Sequence, residues 1–265
     1  MKGLSSRGRE KVEDVVESFF DKMIYRFLGY NPSNKRIEFF VKRPDESLLD
    51  LFIKALGHAP NEVEQDVAKK ILKSSYNYFS SLREKTKGRV ADKLESAISE
   101  ASYEGRELDR NQISSIINEE MNKAKSHFNT IAATETTRAK NLGHAMLISR
   151  AAAAEGESDP NCYFVVKKDI HTCKHCLQNH LHPDGRPKVF KLSELRQGYL
   201  SKEERDSGEC SLHGQHPNCR CRLVYIGKHF GFDKNNKITF VNFGYDEYGH
   251  QKSAYSSDGK DKKSS

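Results

Sequence analysis

The chain has no tryptophan, only seven prolines and four methionines in 265 residues, and no cysteine before position 162. No run approaches the ~18 apolar residues that a membrane-crossing helix needs, so no membrane span is expected. Apolar residues make up 36% of the chain against 31% charged, a lean supply for one compact globule of this length. The composition therefore fits an extended helical part joined to a smaller module that is stapled by something other than apolar burial. A strong charge of one sign is also missing. The formal net charge of +7 permits contact with nucleic acid or another polyanion without identifying one, and an ordinary solvated surface fits equally well. Met1 to Asp14 carries positive charge with no apolar run behind it, so no secretory signal is expected. A reducing cytosol follows as the expected place of synthesis, and thiols there hold metal more readily than they pair as disulfides.

What is present in the first half is helical periodicity. Val12, Val15, Val16, Phe19, Phe20, Met23, Ile24, Phe27 and Leu28 recur at spacings of three and four, with turn chemistry at Gly29-Tyr30-Asn31-Pro32. A second short helix is expected over Asp45 to Leu56, capped by Asp45 or a neighbour. A third is expected from Asn61 to Arg83, interrupted near Gly88, and a fourth from Arg89 to Tyr103. The longest candidate starts after Asp109 and reaches Ala154, with a break possible near Gly143. Its stripe of Ile117, Met121, Ala124, Phe128, Ile131, Glu135, Ala139, Leu142 and Met146 is a heptad-like seam.

After Gly156 the periodicity fades, and all six cysteines fall between Cys162 and Cys221. Cys162 to Lys167, Leu223 to Ile226 and Lys237 to Phe243 read as short strands, the last two joined through Asp233-Lys234-Asn235-Asn236. From about Gln251 there is almost nothing to bury, and disorder is expected. The expected fold is thus α+β, mainly α: an extended N-terminal helical region followed by a small zinc-stapled module with short antiparallel strands. The boundaries are 1–108 for the helical region, 109–155 for the long helix, 156–245 for the Cys/His module with a β-hairpin, and 246–265 for the tail.

The chemistry lies in that module. Cys173-x-x-Cys176 sets two thiols on one tight turn, and His216-Pro-Asn-Cys219-Arg-Cys221 follows about 40 residues later. Structural zinc takes four sulfur or nitrogen ligands, commonly four cysteines or three with one histidine. Cys173 and Cys176 are expected ligands, and two of His216, Cys219 and Cys221 share the other two places. A redox role for Cys-x-x-Cys wants a strand before it and a helix start beneath it, and the flanking residues give no sign of either. Cys162 and Cys210 read as structural or merely exposed. His180-Leu181-His182 offers a second metal pair, though solvated loop histidines are the plainer reading.

A second feature is Thr134-Glu135-Thr136-Thr137-Arg138-Ala139-Lys140-Asn141. Glu135 occupies a slot where the seam calls for an apolar residue, so it needs a partner, and Arg138 is one candidate. The alternative is a seam open to solvent at that level.

Taken in order, these features resemble the Mu F-like head-morphogenesis family, the minor head proteins of tailed bacteriophages. That family's pattern is a helix with Thr-Glu-x-x-Arg/Ala-x-x-Asn, then Asp-x-x-Thr-Cys-x-x-Cys, then His-Pro-x-Cys-Arg-Cys. Here the counterparts are Thr134-Glu135 through Asn141, Asp169 through Cys176, and His216 through Cys221. The resemblance spans about Ile113 to Tyr225. It departs from the family after Cys176, where Leu177-Gln178-Asn179-His180 replaces a frequent glycine, and in a charged insertion between His182 and Cys210 that has room for its own short helix. It implies a non-enzymatic virion component in multiple copies near the portal vertex, assembled in the host cytoplasm. Its implied partners are the portal protein, other head proteins and packaged double-stranded DNA. It also implies a role for Glu135, Arg138 and Asn141 in structure or partner contact, with zinc as the structural cofactor. Two readings from other classes remain: a zinc-dependent nucleic-acid-binding protein, and an HNH-like nuclease, for which the histidines and asparagines supply residue types but not order or spacing.

Overall fold

The computed structural model describes residues 5–28, 47–228, 230–233 and 235–240. Their elements, in chain order, are helices α1 (Ser6–Leu28), α2 (Leu48–Leu56), α3 (Glu62–Tyr103) and α4 (Arg110–Ala154), then β1 (Asn161–Val165), α5 (Lys174–His180), β2 (Val189–Lys191), α6 (Lys202–Asp206), β3 (Arg222–Tyr225), β4 (Phe230–Phe232) and β5 (Ile238–Phe240). The fold is α+β, mainly α, with a few short antiparallel strands. Two compact units divide the chain, Met1–Phe52 with Pro60–Thr136, and Ile53–Ala59 with Thr137–Ser265, so the division falls inside α2 and inside α4. Gly29 to Pro32, Asp45 and the tail beyond position 245 lie outside the described residues.

In the first unit each helix begins and packs for local reasons. Ser47 and Asp50 cap α2 reciprocally, Ser47 N–H donating to Asp50 Oδ2 at 2.9 Å and Asp50 N–H to Ser47 Oγ at 3.2 Å. Asn61 and Glu64 form a capping box on α3, at 3.0 and 2.8 Å. Val16, Phe20, Ile24 and Leu28 of α1 are fully buried at a spacing of four. Phe27 meets Phe79 edge-on at 5.4 Å, and Phe79 stacks on Phe128 of α4 at 4.2 Å. Ion pairs fix the directions. Arg9–Glu95, Glu17–Lys87 and Asp21–Arg83 run α1 antiparallel to α3, while Arg89–Glu120 and Lys93–Glu119 run α4 antiparallel to α3.

The expected interruption near Gly88 does not occur, and the break left open near Gly143 is absent too. α3 is one helix of 42 residues that passes through Gly88, and α4 is one helix of 45 residues that passes through Gly143. Phe79, Leu82, Thr86, Val90 and Leu94 are buried on either side of Gly88 at helical spacing, and that packing outweighs the ~1 kcal/mol that a mid-helix glycine costs. A methyl group at Gly88 would meet no atom within 4 Å. Gly88→Ala is therefore expected to stabilise the chain by about 0.5–1 kcal/mol, checked as a raised midpoint in urea unfolding.

The second unit is built on a three-stranded antiparallel sheet of order β2-β1-β3. Tyr163 pairs with Val189 on one side and Val224 on the other, so β1 is the central strand. Asn161, Cys162, Tyr163 and Phe164 are all buried, which is why this stretch reads as a continuous apolar run rather than an alternating one. Cys162, Phe164 and Leu223 join Ala145 and Ile148 of α4 in the larger core, with Cys176, Cys210, Cys219 and Cys221. Tyr163, Val189, Ile226 and Phe232 form a smaller cluster. The turn at 233–236 joins β4 to β5, not β3 to β5 as the strand pattern suggested, and β2 was not visible in the sequence at all. The charged insertion does carry a short helix, α6, which starts with a Ser201/Glu204 capping box.

Candidate metal centre

The first pole of the site follows β1. Asp169 accepts from the His171 N–H at 2.9 Å, and its own N–H donates to Thr172 Oγ1 at 2.9 Å, which turns the chain into α5. Cys173 then caps that helix, its sulfur accepting from the Cys176 N–H at 3.3 Å. The pair therefore does open a helix, contrary to expectation. The rest of a redox frame is missing, because residues 166–173 separate β1 from α5 and all strand pairings in this sheet are antiparallel.

The second pole is a tight turn. His216 C=O accepts from Cys219 N–H at 3.0 Å around Pro217 and Asn218, the latter at a φ of 62°. Gly214, just upstream, has a φ of 91°, and a Cβ there would lie 2.9 Å from Cys219 Cβ. Gly214→Ala is expected to cost at least about 1–3 kcal/mol from the backbone conformation alone and to weaken metal retention, checked by melting and metal content together.

The two poles meet at Cys176. Its sulfur is 3.3 Å from His216 Nε2 and 3.8 Å from Cys219 Sγ. A tetrahedral zinc with ordinary bond lengths spans about 3.8 Å between two sulfurs and about 3.6 Å between a sulfur and a nitrogen, so both separations match edges of one coordination shell. Cys173, Cys176 and His216 have ligand atoms within 4.8 Å of one another, as do Cys176, His180 and Cys221. His216 Nδ1 is 2.6 Å from Pro217 C=O, which fixes the proton on Nδ1 and leaves Nε2 as the donor to a metal. This Cys/His cluster can hold a metal ion.

Its electrostatics favour a cation. Contact with the thiols of Cys176 and Cys221, joined by the backbone N–H groups of Cys221 and Gln215, holds the Cys219 thiol well below the usual range. Contact with Cys219 and Cys221 pushes Cys176 the other way. Thiols this close cannot all ionise unless a positive ion neutralises them, and a coordinating metal does that outright. Cys162 and Cys210 differ. Burial pushes Cys162 up and Cys210 up to about 12, and neither belongs to a metal-capable group among the described residues.

Residues that do not point sulfur or nitrogen at the cluster lock its two poles. Arg220 donates from both terminal nitrogens to Asp169, at 2.7 and 2.6 Å, tying the loop before Cys173 to the Cys219-Arg220-Cys221 segment. Thr137 Oγ1 of α4 donates to Cys219 C=O. Asn141 Nδ2 donates to Cys221 C=O at 3.3 Å, while Asn141 Oδ1 accepts from Leu223 N–H at 3.0 Å.

The other residues singled out in the sequence lie as follows. Glu135 is 1% exposed and accepts from Ser75 Oγ at 2.5 Å, so the seam is not open to solvent there and Ser75 of α3 is a partner the sequence did not suggest. Arg138 is buried. His180 overturns the expectation of a solvated loop histidine. It is fully buried, stacks on Phe164 at 4.2 Å, and joins the cluster, a ligand-capable residue that the Cys-x-x-Cys and His-Pro-x-Cys-Arg-Cys patterns could not reveal. Its position seven residues after Cys173, at the inner end of α5, was the available signal. Comparisons with protein-family models, with curated proteins and with solved structures found no match.

Proposed function

We propose that the Cys/His cluster is a structural zinc site, and that the chain is a minor head protein of a tailed phage. It would sit in several copies near the portal vertex and support head assembly, DNA packaging or DNA delivery. One observation carries this reading. The three short segments that resemble the head-morphogenesis pattern lie far apart in the sequence yet touch one another. Asn141 of the helix segment holds the backbone of Cys221 and Leu223, and Asp169 of the middle segment grips Arg220 of the last. A pattern whose members form one bonded unit is a stronger link than three short motifs taken singly.

The zinc assignment rests on ligand chemistry. Thiolates with an imidazole at tetrahedral edge lengths suit zinc, and the backbone N–H groups on Cys219 and the carbonyl on His216 Nδ1 supply the outer hydrogen bonds such sites use. The role proposed is scaffolding rather than catalysis. Long antiparallel helices suit docking onto other helical head proteins, and a net charge of +7 suits proximity to packaged double-stranded DNA.

Elemental analysis of the chain purified without a histidine tag tests the metal, and a folded, metal-free protein would remove it. Mass spectrometry of purified particles tests the role. The chain is expected at a small multiple per particle when portal is present and to be lost when portal is absent. Its absence from both procapsids and virions would sink the assembly reading.

A further inference from the structure

A single zinc ion leaves ligands over. Cys176 and five side chains around it can bind metal, six in all, and one tetrahedral ion takes four. Two triads share only the Cys176 sulfur: Cys173, Cys176 and His216, of which Cys173 and His216 are partly exposed, and Cys176, His180 and Cys221, all buried. Cys219 lies 3.8 Å from Cys176 Sγ, the sulfur the two triads share, and in contact with Cys221 of the inner triad. Building on the zinc reading above, we propose that the module holds two zinc ions. Cys176 and Cys219 are bridging thiolates, Cys173 and His216 complete the outer site, and His180 and Cys221 complete the inner one.

Three arguments carry this. The first is the coordination count. Two four-coordinate ions need eight bonds, and six ligands provide eight when two sulfurs each bind both ions. The second is charge. Four thiolates and two neutral imidazoles balance two divalent cations, whereas one ion among the same four thiolates leaves a net negative cluster. Cys176, Cys219 and Cys221 are at most 4% exposed, where uncompensated charge is costly.

The third is His180. Its imidazole is fully buried, one ring nitrogen lies within 4.8 Å of the Cys176 and Cys221 sulfurs, and its Nδ1 has no hydrogen-bond partner among the described residues. Nε2 is already engaged, 3.2 Å from the side-chain nitrogen of Gln215. For Nδ1 to bind metal, Nε2 must carry the proton and Gln215 must present oxygen to it. A half-turn of that amide does so, at the expense of its 3.2 Å contact with Asn179.

The test uses the full chain, expressed with added zinc and purified without a histidine tag. Native mass spectrometry is expected to find two zinc ions per chain, falling to one in His180→Gln and to one in His216→Gln. Cadmium-113 NMR of the wild-type chain loaded with cadmium is expected to give two resonances, both coupled to the β-protons of Cys176 and Cys219. That spectrum decides the matter if His180→Gln does not fold. One zinc per chain with a single cadmium resonance overturns the pair and leaves the single staple standing. No bound metal overturns both. Two zinc ions retained in His180→Gln would remove the inner site as drawn.

Discussion

Stripping metal from the folded chain with a strong chelator is expected to abolish amide protection in β1, β3 and α5 while α1 and α3 stay protected. The larger core of the second unit contains Cys176, Cys219 and Cys221, so the proposed ligands are part of what the sheet packs against. Remove the cation, and those sulfurs must either take up protons or leave the core. Structural zinc contributes on the order of 10–16 kcal/mol in small zinc peptides at neutral pH, as much as the whole stability of an ordinary domain. α1 and α3 draw instead on aromatic packing and ion pairs that involve no cysteine. Hydrogen exchange read by mass spectrometry, with metal loss verified on the same sample, is the measurement. Unchanged protection in β1 and β3 after complete metal loss would mean that the staple carries no stability.

Asn141→Ala is expected to cost about 2–6 kcal/mol and to lower metal retention. Asn141 is 1% exposed, and its side chain satisfies the Cys221 carbonyl and the Leu223 N–H at once. Alanine leaves both backbone groups buried without a partner, each at about 1–3 kcal/mol. Asn141→Asp separates the two bonds, because a carboxylate still accepts from Leu223 N–H but cannot donate to Cys221. Thermal melts followed by near-ultraviolet circular dichroism, which reports on Tyr163 and Tyr225 in this sheet, read the effect. A loss below about 0.5 kcal/mol for Asn141→Ala would show that the clamp is incidental.

Much of this was legible in the sequence, for identifiable reasons. Residue spacing gave the extent of α4 and the C-terminal end of α1, because strong apolar periodicity dominates local detail. The same reasoning failed at Gly88, where burial of Phe79, Leu82, Val90 and Leu94 on α3 overrides the local weakness. The clustering of Cys173, Cys176, His216 and Cys221 was visible because residues that can hold a metal come in tight sequence pairs. His180 stood out only as part of a His180-Leu181-His182 pair, and its place beside Cys176 and Cys221 could not be read because it arises from tertiary packing on Phe164. Glu135 was correctly marked as needing a partner, but Ser75 lies 60 residues away and no periodicity connects them. β2 and β4 are three residues each, too short to show any pattern of their own.

The sheet order has a consequence in time. β1 is the central strand, yet one of its two partners, β3, begins only at Arg222, and the thiols of Cys173 and Cys176 wait for those of Cys219 and Cys221. The ribosome adds about 5–20 residues each second, so the first thiols are made roughly 2–10 s before the last. During that interval they are unshielded. The helices of the first unit, by contrast, have all been synthesised by Thr136. On the zinc reading proposed above, the cluster closes only once Cys221 has been made, and the supply of zinc from then on would govern how many chains mature.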